Sequence, residues 1–167
     1  MRVIGIDPGL HVTGYGVIDV CDGKVELVEA GFLSTDRRDS LDRRILSIYR
    51  EIVEVLAEVR PDVMAVEALY SHYRHPRTSI VMAHARGVLF LAAAQAGVKV
   101  HSYPATTIKI ALTGNGRAKK SQVQAMVGYL LNLEDVPRPP DVADALACAL
   151  CHVSHGMTGA VSGSGGV

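Results

Sequence analysis

Two acidic residues each follow a short apolar run, at positions where catalytic carboxylates are often found. Asp7 comes directly after residues 3–6, and Glu67 comes directly after residues 63–66. Each run predicts a buried strand, and the carboxyl ends of neighbouring strands are where open α/β sheets assemble their sites. The two acids are therefore a candidate pair, although each alone is equally well explained as a surface acid at a strand terminus.

A second pair of acids opens a predicted helix. Asp141 and Asp144 are three residues apart and follow Pro139 and Pro140, so they lie on one side of the first turn. Acids in a first turn also complement the helix dipole, and for this pair alone capping is the favoured explanation. Alanines at positions 143, 145, 147 and 149 are small enough to let the helix lie close on the sheet, which could bring both acids toward the first pair.

Four converging carboxylates predict a divalent metal site. They repel one another and stay ionised only if cations neutralise them, and an oxygen-only ligand set suits Mg²⁺ or Mn²⁺ rather than zinc. The matching chemistry is two-metal phosphodiester hydrolysis, in which one ion generates hydroxide and the other stabilises the leaving 3′ oxygen.

The net charge of +0 is the sum of three unlike blocks. Residues 1–67 carry thirteen acids against eight Lys or Arg, residues 68–133 carry no acid, and residues 134–167 carry four acids against one arginine. The cations of the middle block are Arg74, Arg77, Arg86, Lys99, Lys109, Arg117, Lys119 and Lys120. This block predicts a basic surface for nucleic-acid phosphates beside the acids. Alternatively, folding mixes the charges and the blocks have no functional meaning.

The apolar spacing indicates the elements that must position these residues. Strands are predicted at residues 3–6, 12–20, 24–33, 63–66 and 98–103, and helices at 40–60, 79–95, after Pro104, at 119–131 and at 141–153. An antiparallel meander that leads into parallel strands, with helices on both faces, is a mixed α/β fold. With 167 residues, about half of them apolar, we expect one domain over residues 1–156 and a flexible tail over 157–167.

Cysteines and targeting signals give mainly negative expectations. The chain has three cysteines, Cys21, Cys148 and Cys151, and no recognisable signal peptide, so a disulfide framework is not expected. Cys148 and Cys151 lie in an Ala/Leu-rich helical run, where buried small residues are favoured over a zinc or redox site. No stretch is apolar enough to span a bilayer, so we expect a cytoplasmic protein without membrane contact.

Several motifs resemble the RuvC family, the bacterial Holliday-junction resolvases, in order from residue 2 to about 155. They lie at residues 5–9, 13–17, 85–88, 113–116, 120–124 and 141–147. The resemblance implies an RNase H-like fold with a five-stranded sheet, a homodimer, and two Mg²⁺ per active site, for which Mn²⁺ can substitute. It also implies paired, symmetric nicks in four-way junction DNA during homologous recombination and repair, and RuvA and RuvB as branch-migration partners.

The resemblance also implies roles for individual residues. Asp7, Glu67, Asp141 and Asp144 match the family's catalytic and metal-binding acids. Lys109 and Lys120 match catalytic basic residues close to the scissile phosphate. Tyr70, Lys109 and Lys120 match DNA-contacting residues of the family. From the basic block we also expect Arg74, Arg77, Arg117 and Lys119 to bind DNA.

Three of the matched segments need comment. Tyr70 stands where the family has a Phe that stacks on bases. Residues 71–78 are more basic and more aromatic than the family segment and one residue longer, so their role stays open. The helix with Ala83, Ala85 and Gly87 matches the family's dimer helix.

Two other functions compete with the nuclease. Sugar kinases and actin-like ATPases also open with Gly-Ile-Asp-x-Gly, but they close two lobes around a nucleotide and 167 residues supply one. A junction-binding module with purely structural acids is the second. Cleavage of a four-way junction, with nucleotide binding as the counter-test, discriminates among the three.

Overall fold

The computed structural model describes residues 1–68 and 76–161, without the side chains of 76–78 and 157–161. Its elements are β1 (Arg2–Asp7), β2 (Val12–Cys21), β3 (Lys24–Ser34), α1 (Leu41–Val59), β4 (Val63–Glu67), α2 (Pro76–Gln95), β5 (Lys99–Tyr103), α3 (Ala105–Thr113), α4 (Lys120–Leu130) and α5 (Pro140–Val161). This is the element order that the sequence predicts. None of the described helices is long and apolar enough to cross a membrane.

Two helix boundaries differ from the prediction. α2 begins at Pro76 rather than near Ser79, and proline suits a first helical position because its missing N–H has no partner to lose there. α5 continues to Val161 instead of ending near Val153, and so passes the predicted domain end at residue 156. A flexible tail after residue 156 stays a prediction.

The five strands form one mixed sheet in the order β3-β2-β1-β4-β5. β1 pairs antiparallel with β2, and β2 with β3, which is the predicted meander. β1 also pairs parallel with β4, and β4 with β5. The predicted mixed sheet is thus confirmed, and β1 lies at its centre.

Helices cover both faces of the sheet because the side chains of the central strand alternate between two cores. Val3 points into the core shared with α3, α4 and α5. Ile4 and Ile6 point into the core shared with α1 and α2. All three are fully buried, as expected for a central strand covered on both sides.

Glycines let α5 lie directly on the first two strands. A Cβ atom added to Gly5 in β1 would stand 1.9 Å from the carbonyl oxygen of Ala145, and one added to Gly14 in β2 would stand 2.1 Å from that of Asp141. Both neighbours are backbone atoms, so no side-chain rotation could relieve the contact. This close approach places the first turn of α5 beside the carboxyl end of β1.

Candidate active site

Asp7 and Glu67 lie side by side at the carboxyl ends of two neighbouring strands in the middle of the sheet. Each is the last residue of its strand, β1 or β4, and the parallel register pairs Ile6 with Val66 just before them. Both acids are half-buried. The strand-end argument from the sequence therefore places them correctly relative to each other.

Asp141 and Asp144 approach this pair from the first turn of α5. Burial, followed by the charges of Asp144, Glu67 and Asp141, raises the pKa of Asp7 from 3.8 to about 7, although Lys120 acts in the opposite direction. Burial, followed by the charge of Asp144, also raises the pKa of Glu67. The four carboxylates thus interact as one electrostatic group.

Two lysines provide the nearby positive charge. The ammonium of Lys120, at the start of α4, forms an ion pair with Asp144 while about 60% of its side chain stays exposed. Lys109 of α3 lies with Lys120, Glu67 and Asp144 around a cavity of about 250 Å³. Both lysines hold the pKa of Glu67 lower than burial and Asp144 alone would leave it.

The four carboxylates are suitable ligands for a divalent cation, although they are not close enough together to coordinate one in this arrangement. Within residues 1–68 and 76–161, no three His, Cys, Asp or Glu side chains form an arrangement that could by itself hold a metal ion. Burial raises the pKa of Asp144, and Lys120 only partly offsets this, so one ammonium does not neutralise the group. Carboxylate oxygens in this state are ligands for a hard cation such as Mg²⁺.

The raised pKa of Asp7 predicts that metal-free protein loses stability as the pH rises. The folded chain holds the Asp7 proton up to a pKa of about 7, against 3.8 when unfolded, so this contribution is complete below pH 4 and is lost as the pH rises through 7. At 1.36 kcal/mol per unit, the loss is at most about 4 kcal/mol. Urea denaturation in a chelator between pH 4 and pH 8 measures it.

Asp7→Asn provides the control for this measurement. Other groups also titrate in this range, among them His152, whose pKa is lowered by burial and by His101 and His155. The informative quantity is therefore the free energy of unfolding of the variant minus that of the chain itself. We expect this difference to grow with pH in the chelator and to shrink when Mg²⁺ is added. A difference that is constant with pH would refute the electrostatic account of the site.

The other predicted DNA-binding residues lie outside this cluster. Arg117 and Lys119 are exposed in the turn between α3 and α4, where their backbone N–H groups donate to Asn115 and Gln122. Tyr70 and Arg74 lie outside the described residues. Arg77 belongs to the first turn of α2, but its side chain is not described.

Cys148 and Cys151 are packing residues of α5. Both are fully buried, and both belong to the core between α5 and the sheet. Burial raises the pKa of both thiols. The sequence interpretation of this pair as buried small residues is confirmed.

Arg86 supports the end of β4, a role that the sequence reasoning did not assign. Its guanidinium donates to the backbone carbonyl of Glu67 and, at 2.6 Å, to the hydroxyl of Ser102, while its central carbon lies 4.5 Å above the Phe90 ring. The sequence does contain a signal for this role: Arg86 is three residues before the buried Leu89 and so lies on the same, inward face of α2. Arg86 thus fixes the backbone that carries a site carboxylate.

Arg86→Lys should impair the site because an ammonium cannot reproduce the planar fork of a guanidinium. An unsatisfied carbonyl costs about 1–3 kcal/mol, and misplacing Glu67 should lower any activity of the site about ten- to a hundredfold. The melting temperature and the single-turnover rate measure the two effects. Arg50→Lys, on the exposed side of α1, is the matched control and should change neither. A variant of Arg86 with an unchanged rate would remove the positioning role.

The comparisons with known proteins agree with this geometry. The family model described as crossover junction endodeoxyribonuclease RuvC matches residues 3–152. A crossover junction endodeoxyribonuclease RuvC of Rhodopirellula baltica is 52% identical over 149 residues, which cover 89% of this chain and 84% of that protein.

Two solved structures are similar over nearly the whole chain. RuvC of Thermus thermophilus superposes with a TM-score of 0.87 at 36% identity, covering 95% of this chain and 97% of that one. The same protein in complex with Holliday junction substrate gives 0.87 at 34% identity, with the same coverage.

Proposed function

The chain belongs to the RuvC family of crossover junction endodeoxyribonucleases, and we propose that it resolves Holliday junctions by hydrolysing phosphodiester bonds at the carboxylates of Asp7, Glu67, Asp141 and Asp144. The activity serves homologous recombination and DNA repair. One observation carries the assignment of the site: three separate segments of the chain bring four carboxylates into one electrostatic group beside two lysines.

Nucleases of this family depend on metal ions, and we assign two Mg²⁺ to the site, with Mn²⁺ able to substitute. The four carboxylates would hold them. When bound, the ions supply Lewis-acid chemistry that lowers the pKa of water and stabilises charge on the leaving 3′ oxygen. The half-buried position of Asp7 and Glu67 keeps solvent from competing for the carboxylate oxygens.

The lysines have complementary tasks in this proposal. With metal ions held at Asp144, the exposed ammonium of Lys120 would be free to donate to a phosphate oxygen. Lys109 lines the same cavity beside Glu67 and supplies a second positive charge to the strand that is cut. Arg117 and Lys119, exposed nearby, extend the basic surface along the duplex.

We propose that the protein acts as a homodimer through α2. Ile80 and Leu91 are more than half exposed, and with His84 and Gly87, both exposed, they follow one face of this helix. Ala85, which the family resemblance includes among the small residues of the dimer helix, is instead fully buried in the core between this helix and its own sheet. A two-fold dimer would place two sites on opposed strands of a two-fold junction.

Two further assignments depend on family membership. We place the enzyme in the cytoplasm, with its DNA substrate. We also assign RuvA and RuvB as partners that move the junction to the cleavage position.

A cleavage assay tests the proposed function. A synthetic four-way junction and a duplex of the same sequence are incubated with the protein, with Mg²⁺ and in a chelator. We expect paired nicks at symmetric positions in the junction, with Mg²⁺ only, and little cutting of the duplex. Junction binding without cleavage at any metal concentration would indicate the binding module, and tight ATP binding without cleavage would indicate the kinase-like alternative.

A further inference from the structure

A second groove is lined by two of the four carboxylates, Asp7 and Asp141, but not by Lys109 or Lys120. It has a volume of about 620 Å³ and runs from Asp7 and Asp141 along the turn between β1 and β2. Its other lining includes Arg37, Arg44, His11, Val81 and Met82. Each of the two cavities is thus lined by two of the carboxylates and by two cationic side chains.

Side-chain hydrogen bonds stabilise the turn between β1 and β2 that lines this groove. The Thr35 hydroxyl donates to the carbonyl of Leu10 at 2.5 Å, and Arg44 donates both to that carbonyl at 3.2 Å and to the Thr35 hydroxyl at 3.0 Å. Thr13 donates to the carbonyl of Gly9 at 2.6 Å. The half-buried Arg44 thus uses its guanidinium to hold the turn, and the turn is fixed in place next to Asp7.

Arg37 is the cation that is left for a ligand. It is exposed in the loop between β3 and α1, and no described residue forms an ion pair with it. The nearest acid in that loop, Asp36, is already held by Arg38 at 2.7 Å. Arg37 thus lines the groove without an ion pair to any described residue.

The two walls of the groove differ in chemistry. Arg37 and the exposed His11 ring line the polar side, while Val81 and Met82 of α2 form an apolar side. A nucleic-acid strand has the same asymmetry, with charged phosphates along one edge and apolar sugar and base faces along the other. A free anion would not need the apolar wall.

We propose that this groove holds the cleaved strand on the far side of the scissile phosphate, with Arg37 contacting a flanking backbone phosphate. The inference rests on the proposed function, since it takes the DNA strand to cross the carboxylates from the cavity of Lys109 and Lys120 into this groove. It also adds a cation from the acidic first block of the sequence to the DNA-binding surface.

Arg37→Ala tests the proposal, with Arg50→Ala as the matched control, an exposed arginine of α1 that does not line the groove. Junction binding is measured in chelator at several salt concentrations, and cleavage is measured by single turnover with Mg²⁺. One phosphate contact contributes about 0.9 to the salt slope, so Arg37→Ala should lower the slope by about one and weaken binding about five- to tenfold at 0.1 M salt. Arg50→Ala should change neither quantity.

A neutral methylphosphonate placed in turn at each position flanking the mapped cut locates the contact. At one position on one side of the cut, the substitution should weaken binding by the unmodified protein but not weaken Arg37→Ala further. Equal salt slopes for the two variants, or additive effects at every position, would overturn the inference. Failure of the unmodified protein to cut the junction would instead overturn the proposed function, so the two failures are distinguishable.

Discussion

Asp7→Asn is expected to abolish junction cleavage and to leave junction binding intact or tighter. Asp7 ends the central strand and is the carboxylate most affected by the other three. An amide is a poorer ligand for Mg²⁺ than a carboxylate, and losing one ligand of a catalytic metal site should lower the single-turnover rate on the order of a thousandfold. Binding improves because one negative charge next to the DNA phosphates is removed. Gel-shift and single-turnover assays on one synthetic junction measure both effects.

The control for this variant is Asp22→Asn in the turn between β2 and β3. Asp22 is exposed and has a φ of 51°, a left-handed conformation that asparagine adopts readily. Asp22→Asn removes the same charge at the far end of the β2–β3 hairpin and should change neither the cleavage rate nor the affinity for the junction. If Asp7→Asn cut at the rate of the unmodified protein, Asp7 would not be a metal ligand.

Gly14→Ala is expected to damage both stability and cleavage, although it adds one methyl group outside the site. The new Cβ would stand 2.1 Å from the oxygen, 2.3 Å from the carbon of the Asp141 carbonyl, and 2.9 Å from the Val142 nitrogen. The first turn of α5 must move away from β2, and Asp141 and Asp144 move with it. Overpacking of this kind costs about 1–3 kcal/mol, and a displacement of about 1 Å at a site can cost a hundredfold in rate.

Gly128→Ala separates this effect from any general effect of replacing a glycine. Gly128 lies inside α4, where an added Cβ would meet nothing within 4 Å. Alanine is the better helix former there and should stabilise the protein by about 0.5–1 kcal/mol without changing cleavage. Thermal melts and single-turnover rates of both variants give the comparison. Unchanged values for Gly14→Ala would mean that α5 does not need its close approach.

The strands and their carboxylates could be predicted because the signals are local. Residues 3–6 and 63–66 are short apolar runs that end at an acid, and the parallel pairing of β1 with β4 then places Asp7 beside Glu67. The placement of Asp141 and Asp144 could not be decided in this way. It depends on Gly14 meeting the backbone of α5 across the fold, a contact between residues more than a hundred positions apart that no local pattern encodes.

The charge blocks predicted the basic surface only in part. Lys109 and Lys120 of the middle block lie beside Glu67 and Asp144, as expected. Arg37 and Arg44, however, belong to the block with an excess of acids, and folding brings them to a groove that Asp7 also lines. The net charge of each sequence block does not show which cations lie near the site, because loops from different blocks come together at the ends of the strands.

The position of α5 in the chain has a consequence for biosynthesis. The ribosome makes β1 and β2 long before the helix that covers them, α5, which carries Asp141 and Asp144 and follows the other nine described elements in the chain. Until then Gly5 and Gly14 face no partner and the nascent polypeptide holds only half of the carboxylates. Since the proposed site needs all four carboxylates, we expect a translation product that stops before α5 to be unable to nick DNA.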